Sequence, residues 1–148
     1  MNNKISESFV SFEEAELLYK AGFDVVCVNT YEKIMVKSRM HKAGEILMYA
    51  MFNNNTDNKS LNSRSKNSWH CSCPLRETAV EWIRLNLGYY VTAVPVSDGK
   101  FLCTVWKLSG NSHPQAFSIN DMRYDSPQDV YKEAIIYLLN SYLNGNFN

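Results

Sequence analysis

The stretch Cys73–Leu108, CPLRETAVEWIRLNLGYYVTAVPVSDGKFLCTVWKL, constrains the fold more than any other part of the chain. Pro74 suits the first position of a helix, with Ser72 or Cys73 as the N-cap, because proline has a fixed φ and needs no amide donor there. Gly88 is placed to end this helix in a left-handed conformation. Apolar residues recur between these ends at the spacing of one helix face: Leu75, Ala79, Trp82, Ile83 and Leu87.

Two segments rich in aromatic and β-branched residues, Tyr89–Val96 and Phe101–Leu108, follow the helix and predict a pair of strands. Asp98-Gly99 between them is the pair favoured in a two-residue type I′ hairpin turn. Because Pro95 cannot donate a ladder hydrogen bond, its strand is expected at a sheet edge.

The two-residue turn also predicts the strand register. It places Val96 opposite Phe101, and it gathers the pairs Val94–Cys103 and Thr92–Val105 on one largely apolar face. Val91 would then oppose Trp106 on the reverse face. An exposed apolar pair of this kind needs covering by the chain or by a partner, so Val91 and Trp106 are predicted to be binding residues.

Helices are also predicted near both ends of the chain. Ser11 and Glu14 form a capping-box pattern for a helix over Phe12–Ala21, with Gly22 as its stop. Ser126, with Pro127 in the first helical position, predicts the closing helix, which Gly145 ends before a frayed tail over 144–148. The residues expected to face inward are Phe12, Ala15, Leu18 and Tyr19 in the first helix, and Val130, Ala134, Ile135, Leu138, Leu139 and Tyr142 in the last.

Further strands are expected near Val25–Asn29, at the start of Tyr31–Lys42, over Glu45–Phe52 and over Ala116–Tyr124. Between them, Asn53–Ser68 is almost wholly polar and predicts one long exposed loop.

Length and composition complete the fold prediction. With 148 residues and 45% hydrophobic content, the chain suits a single compact domain, 1–148, able to bury a core without metals or disulfides. The order of elements predicts an α+β fold, an antiparallel sheet covered by about three helices on one face. The start lacks a signal-peptide pattern and no apolar run reaches membrane-spanning length, which predicts a cytoplasmic protein.

The segment Trp69–Cys73 holds the candidate metal ligands His70, Cys71 and Cys73. A zinc site needs about four ligands, commonly with wider cysteine spacing, and the other cysteines and histidines are scattered. A strand or loop leading into the helix, with reduced thiols, is the simpler interpretation. A Cys73 nucleophile at a helix N-terminus would need a base that the sequence does not identify. No metal and no cofactor is therefore predicted.

A basic stretch, with Lys33, Lys37 and Arg39 at its centre, is the candidate nucleic-acid site, together with the 53–68 loop. Lys and Arg number 15, as do Asp and Glu, so the net charge is zero and neither half forms a cationic arm. That balance favours a solvated strand over a phosphate contact.

Three segments carry a resemblance: FVSFEEAELLYKAGF, CPLRETAVEWIRLNLGYYVTAV with GKFLCTVW, and YDSPQDVYKEAIIYLLNSYL. Together they resemble small uncharacterised proteins from phages and mobile elements of Bacteroidota, in which a Pro-Leu-capped helix with a Trp-Ile-Arg core precedes a hairpin. Where that family usually has alanine before the proline, this chain has Cys73. The resemblance implies a small intracellular accessory protein and no known activity.

The sequence therefore predicts a binding protein rather than an enzyme, because no catalytic constellation is evident. The expected partner is a protein, such as a host protein, or a second copy of the chain. A nucleic-acid or nucleotide-binding module is the alternative.

Overall fold

The computed structural model describes residues 8–27, 29–34, 45–49, 68–108, 110 and 113–146, without the side chains of 32–34, 45–49 and 68–70. Within these residues the chain forms three helices and six strands, and every strand pair is antiparallel, which confirms the α+β prediction. The strands form two three-stranded sheets where one sheet was expected. The chain divides into a first unit, Val10–Pro74, and a second unit, Leu75–Asn148 with the segment preceding Val10. The expectation of a single domain stays a prediction.

In the first unit, helix α1 spans Phe12–Ala21 as predicted. The Ser11 amide donates to Glu14 Oε2 at 2.6 Å, and the Glu14 amide donates to Ser11 Oγ at 3.4 Å, which completes the capping box. Gly22 ends the helix with φ +90°. Phe12, Ala15 and Leu18 are buried as expected, Tyr19 is only half-buried, and Glu14 is buried as well.

The sheet of the first unit consists of β1 (Asn29–Ile34), β2 (Glu45–Tyr49) and β3 (Ser68–Ser72), in the order β2-β1-β3. The strand expected near Val25–Asn29 is wrong, because Val25, Val26 and Cys27 lie in no strand and only Asn29 belongs to β1. The rest of β1 matches the strand expected at the start of Tyr31–Lys42. A strand needs a hydrogen-bonded neighbour, and β3 ends at Ser72, opposite Thr30. Apart from Ser68, the predicted 53–68 loop lies outside the described residues.

In the second unit, helix α2 spans Arg76–Leu87 and ends at Gly88 with φ +74°. The predicted start is wrong: the N-cap is Leu75, without a side-chain hydrogen bond, and Pro74 precedes the helix. Backbone partners distant in sequence fix this start instead. Leu75 forms an antiparallel bridge with Phe9, and the Arg76 amide donates to the Ser8 carbonyl at 3.0 Å.

The second sheet consists of β4 (Tyr89–Pro95), β5 (Phe101–Lys107) and β6 (Gln115–Tyr124), in the order β4-β5-β6. Helix α3 (Pro127–Leu143) packs against all three strands. Ser126 caps α3, with Pro127 in the first turn, and Gly145 follows its last residues with φ +71°, as expected. The buried stripe of α3 consists of Val130, Ala134, Ile135, Leu138 and Leu139, whereas Tyr142 is 43% exposed.

The hairpin register differs by one residue from the prediction. Pro95 pairs with Phe101 and Val91 with Val105. The loop has three residues, Ser97–Gly99, because the Val96 amide donates to the Lys100 carbonyl at 2.9 Å and the Gly99 amide donates back to the Val96 carbonyl at 3.0 Å. Among the three loop residues, only Gly99 has a positive φ, +78°. This is the pattern of a type I turn followed by a left-handed glycine, whereas a type I′ turn needs positive φ at Asp98 too.

Candidate protein-contact face

With the observed register, the residues of the second sheet lie on two opposed faces. The face that carries Val91, Cys103 and Val105 is buried, at 5%, 0% and 0% exposure. Tyr89 is buried on the same face and meets the ring of Phe117 edge to face at 6.4 Å between centroids. We call this the inner face.

The opposite side, which we call the outer face, carries three cross-strand rows. The first row is Tyr90–Trp106–Ala116, the second is Thr92–Thr104–Ser118, and the third is Val94–Leu102–Arg123. Aromatic rings therefore lie at one end of this face and hydroxyl groups in the middle, and two aliphatic side chains with Arg123 lie at the other end. Tyr90 is 48% exposed and Trp106 is 37% exposed, so both rings reach the surface.

The Trp106 ring is held in place across the strands. Its Nε1 donates to Thr92 Oγ1 at 3.1 Å, which fixes the indole over the neighbouring strand. The polar edge of the ring is thereby satisfied and the flat apolar surface is left for contact. Tryptophan and tyrosine in such positions are the residues most often found at the centre of protein interfaces.

Several charged groups near this sheet form ion pairs. Arg123 contacts Asp98, Lys100 Nζ lies 3.4 Å from Asp125 Oδ1, and on α2 Arg84 forms two hydrogen bonds with Glu81. The hydrogen bond from Arg123 lowers the pKa of Asp98 from its ordinary value, and that from Arg84 lowers the pKa of Glu81. Glu77 and Glu81 are exposed, which agrees with a solvated helix face and provides no shielded carboxylate pair for acid–base chemistry.

Both edges of the second sheet resist the addition of another strand. The backbone hydrogen bonds at the two ends of the hairpin show that the even-numbered residues of β4 are the ones that bond to β5. The amides of the odd-numbered residues therefore point away from β5, towards the open edge of the sheet. Among those residues Val91 is only 5% exposed and Pro95 has no amide, which agrees with its predicted edge position.

On the other edge, β6 contains an irregularity opposite Cys103, because its register shifts between Leu102 and Thr104. Asn120 fixes the extra residues: its Oδ1 accepts from the Met122 amide at 3.0 Å and its Nδ2 donates to the Tyr124 hydroxyl at 2.9 Å. A bulge of this kind interrupts the regular edge that strand pairing requires.

The cysteines are buried thiols in the described structure. Cys71 and Cys73 are at most 1% exposed, and Cys73 Sγ donates to the Val10 carbonyl at 3.5 Å. Burial, with a smaller effect of Cys73, raises the pKa of the Cys27 thiol to about 11. Burial and the nearby Glu133 raise the pKa of Cys103 to about 11 as well. These shifts disfavour the thiolate that nucleophilic catalysis needs.

The metal and nucleic-acid predictions concern residues of which the structure describes little. Lys33 lies in β1 and His70 in β3, but neither side chain is described, and Lys37 and Arg39 lie outside the described residues. Among the described side chains, no group of three or more His, Cys, Asp or Glu residues could hold a metal ion.

Of the two predicted contact residues, the structure leaves one at the surface. Trp106 lies on the outer face, whereas Val91 is buried on the inner face, and Trp106 pairs with Tyr90. The sequence signal that was missed is Val96-Ser97-Asp98-Gly99, which fits a three-residue loop as well as a two-residue one.

None of the helices in the described part of the chain combines the length and apolar character that a membrane-spanning segment requires. The chain matches no known protein family, no curated protein and no solved structure.

Proposed function

We propose that this chain is a non-catalytic binding protein that contacts another protein through the outer face of its second sheet. The observation that carries the proposal is the exposed pair Tyr90 and Trp106 on a sheet face whose first two rows contain no charged residue. The resemblance to small phage and mobile-element proteins is compatible with such a role, with a host protein in the cytoplasm as one partner.

The chemistry of the face favours an uncharged protein surface over a polyanion. Leu75–Asn148 contains six Lys and Arg residues and seven Asp and Glu residues, a difference of −1. Nucleic-acid binding depends on several cations free to contact phosphates. Two cations at the hairpin end of this sheet are engaged by carboxylates: Arg123 by Asp98, and Lys100 by Asp125. A partner surface that is apolar and carries little charge matches these features best.

Photo-crosslinking with a matched control tests the proposal. A benzophenone amino acid replaces Trp106 in one variant and Tyr137 in the other, because these rings are 37% and 39% exposed but lie on β5 and α3. In a lysate of cells that express the gene, we expect discrete protein adducts from position 106 and none of comparable yield from position 137. Equal yields, or adducts from position 137 alone, would contradict the assignment of the outer face.

A further inference from the structure

We propose that the protein meeting the outer face is a second copy of the chain, packed sheet to sheet about a two-fold axis that passes near Thr104. This inference rests on the proposed function and names the partner of the same face. An interface of this symmetry brings the same patch from both copies together, so the patch must be complementary to itself.

The order of the three rows provides this self-complementarity. Consider a two-fold axis that lies between the two sheets and runs along the middle row, perpendicular to the strands. This axis places the aromatic row of one copy over the aliphatic row of the other. Tyr90 and Trp106 then meet Val94 and Leu102 of the second copy. The middle row meets itself, so Thr104 lies opposite Thr104 of the second copy, where each hydroxyl can donate to or accept from the other. Thr92 keeps its own proton for such a bond, because its Oγ1 only accepts from Trp106, whereas the Ser118 hydroxyl donates to the Asn120 carbonyl of its own chain.

The charge distribution also agrees with a second copy. Like charges that face each other across an interface cost binding free energy, so a patch that meets itself must avoid charge near its axis. The first two rows contain none, and in the third row Arg123 is neutralised by Asp98 within its own chain. Across the axis Arg123 meets the first row at Ala116, which is small and uncharged.

The size of the face predicts a weak dimer. Between backbone atoms the three rows span roughly 14 Å along the strands and 10 Å across them, from about 3.4 Å per residue and 4.8 Å between strands. Side chains around the border enlarge this area, but it stays below the roughly 800 Å² per partner of a typical stable interface. We therefore expect dissociation in the micromolar to near-millimolar range.

Sedimentation equilibrium of the full chain and two charge variants tests the inference. From about 10 μM to about 1 mM, the wild-type mass should rise towards twice the monomer value by mass action. Thr104→Lys and Thr104→Glu should each remain monomeric, because each places like charges together at the axis. A mixture of the two variants should dimerise again, since the opposite charges then meet.

Leu85→Lys is the matched control, because Leu85 is 65% exposed on α2 and the same charge there should leave dimerisation unchanged. Circular dichroism checks that each variant folds, and Ala116→Lys, at an exposed position of the first row, replaces Thr104→Lys if that variant does not fold. A wild-type chain that stays monomeric at about 1 mM, or a charge mixture that does not associate, overturns the second-copy inference. Adducts to other proteins from position 106 would still support the proposed function in that case, so the two failures are distinguishable. Sedimentation alone decides the second-copy inference, because so weak a dimer dissociates in a dilute lysate.

Discussion

Neighbouring residues of the same strand are buried on the inner face of the second sheet and exposed on its outer face. Along β5, Cys103 and Val105 are fully buried, while Thr104 is half-buried and Trp106 is 37% exposed. The inner face is covered by α3, whose stripe includes the fully buried Leu138 and Leu139. Because successive residues of a strand point to opposite faces, one residue packs in the core while its neighbour stays at the surface. Adjacent positions should therefore respond differently to the same substitution.

The largest contrast is expected from aspartate at two adjacent positions. Val105→Asp buries a carboxylate on the inner face, where no described cation lies on the same three-strand row of Val91, Val105 and Phe117. An unpaired buried charge is among the few changes that cost about 4 kcal/mol or more, a large part of the stability of a typical domain. Urea unfolding followed by circular dichroism should show Val105→Asp largely unfolded without denaturant.

Thr104→Asp is the matched variant on the outer face. Its carboxylate remains in contact with water, so the free energy of unfolding should change by no more than about 1 kcal/mol, the range of strand propensities. Similar losses at positions 104 and 105 would mean that both faces are covered, and the outer face would then not be available to a partner.

A smaller contrast is expected on the helix that covers the inner face. Leu138→Ala removes a fully buried side chain from α3 and should cost about 2–5 kcal/mol, through lost burial and the cavity that remains. Tyr142→Ala, one helical turn later, should cost less than about 1 kcal/mol because Tyr142 is 43% exposed, although the sequence placed it in the same stripe. Midpoints of urea unfolding measure both, and equal losses would show that the stripe extends to Tyr142.

The sequence predicted those elements whose hydrogen-bond partners lie within a few residues. Ser11 with Glu14, and Ser126 with Asp129, make their capping bonds across three positions, so the starts of α1 and α3 were predicted correctly. The start of α2 was not, because Leu75 is held by Phe9, which is far away in sequence. Local patterns contain no information on such a partner.

The same distinction explains why only half of the outer face was predicted. Trp106 was placed on it correctly, since alternation along β5 fixes its side relative to Val105. The contribution of β4 was reversed, because one additional loop residue changes the register and exchanges every side chain between the faces. Asp98-Gly99 is compatible with both loop lengths, which the hydrogen bonds of Val96 and the φ angle of Asp98 distinguish in the structure. Val91 was consequently expected at the surface although it lies in the core.

The smallest contrast concerns a thiol on each face. The buried Cys103 has a pKa raised to about 11 from the ordinary 9.0, so in the unfolded chain its proton dissociates at lower pH than in the folded chain. The folded state then binds more protons above about pH 9, and stability should fall as the pH rises from about 9 to about 11. Cys103→Ala should weaken this alkaline loss of stability when unfolding is measured against pH.

At pH 8 a thiol reagent should leave the four buried native cysteines unmodified but should label Thr104→Cys on the outer face. Rapid labelling of Cys103 in the folded protein would mean that the inner face opens to solvent. The two faces would then differ only in how often each is exposed to solvent.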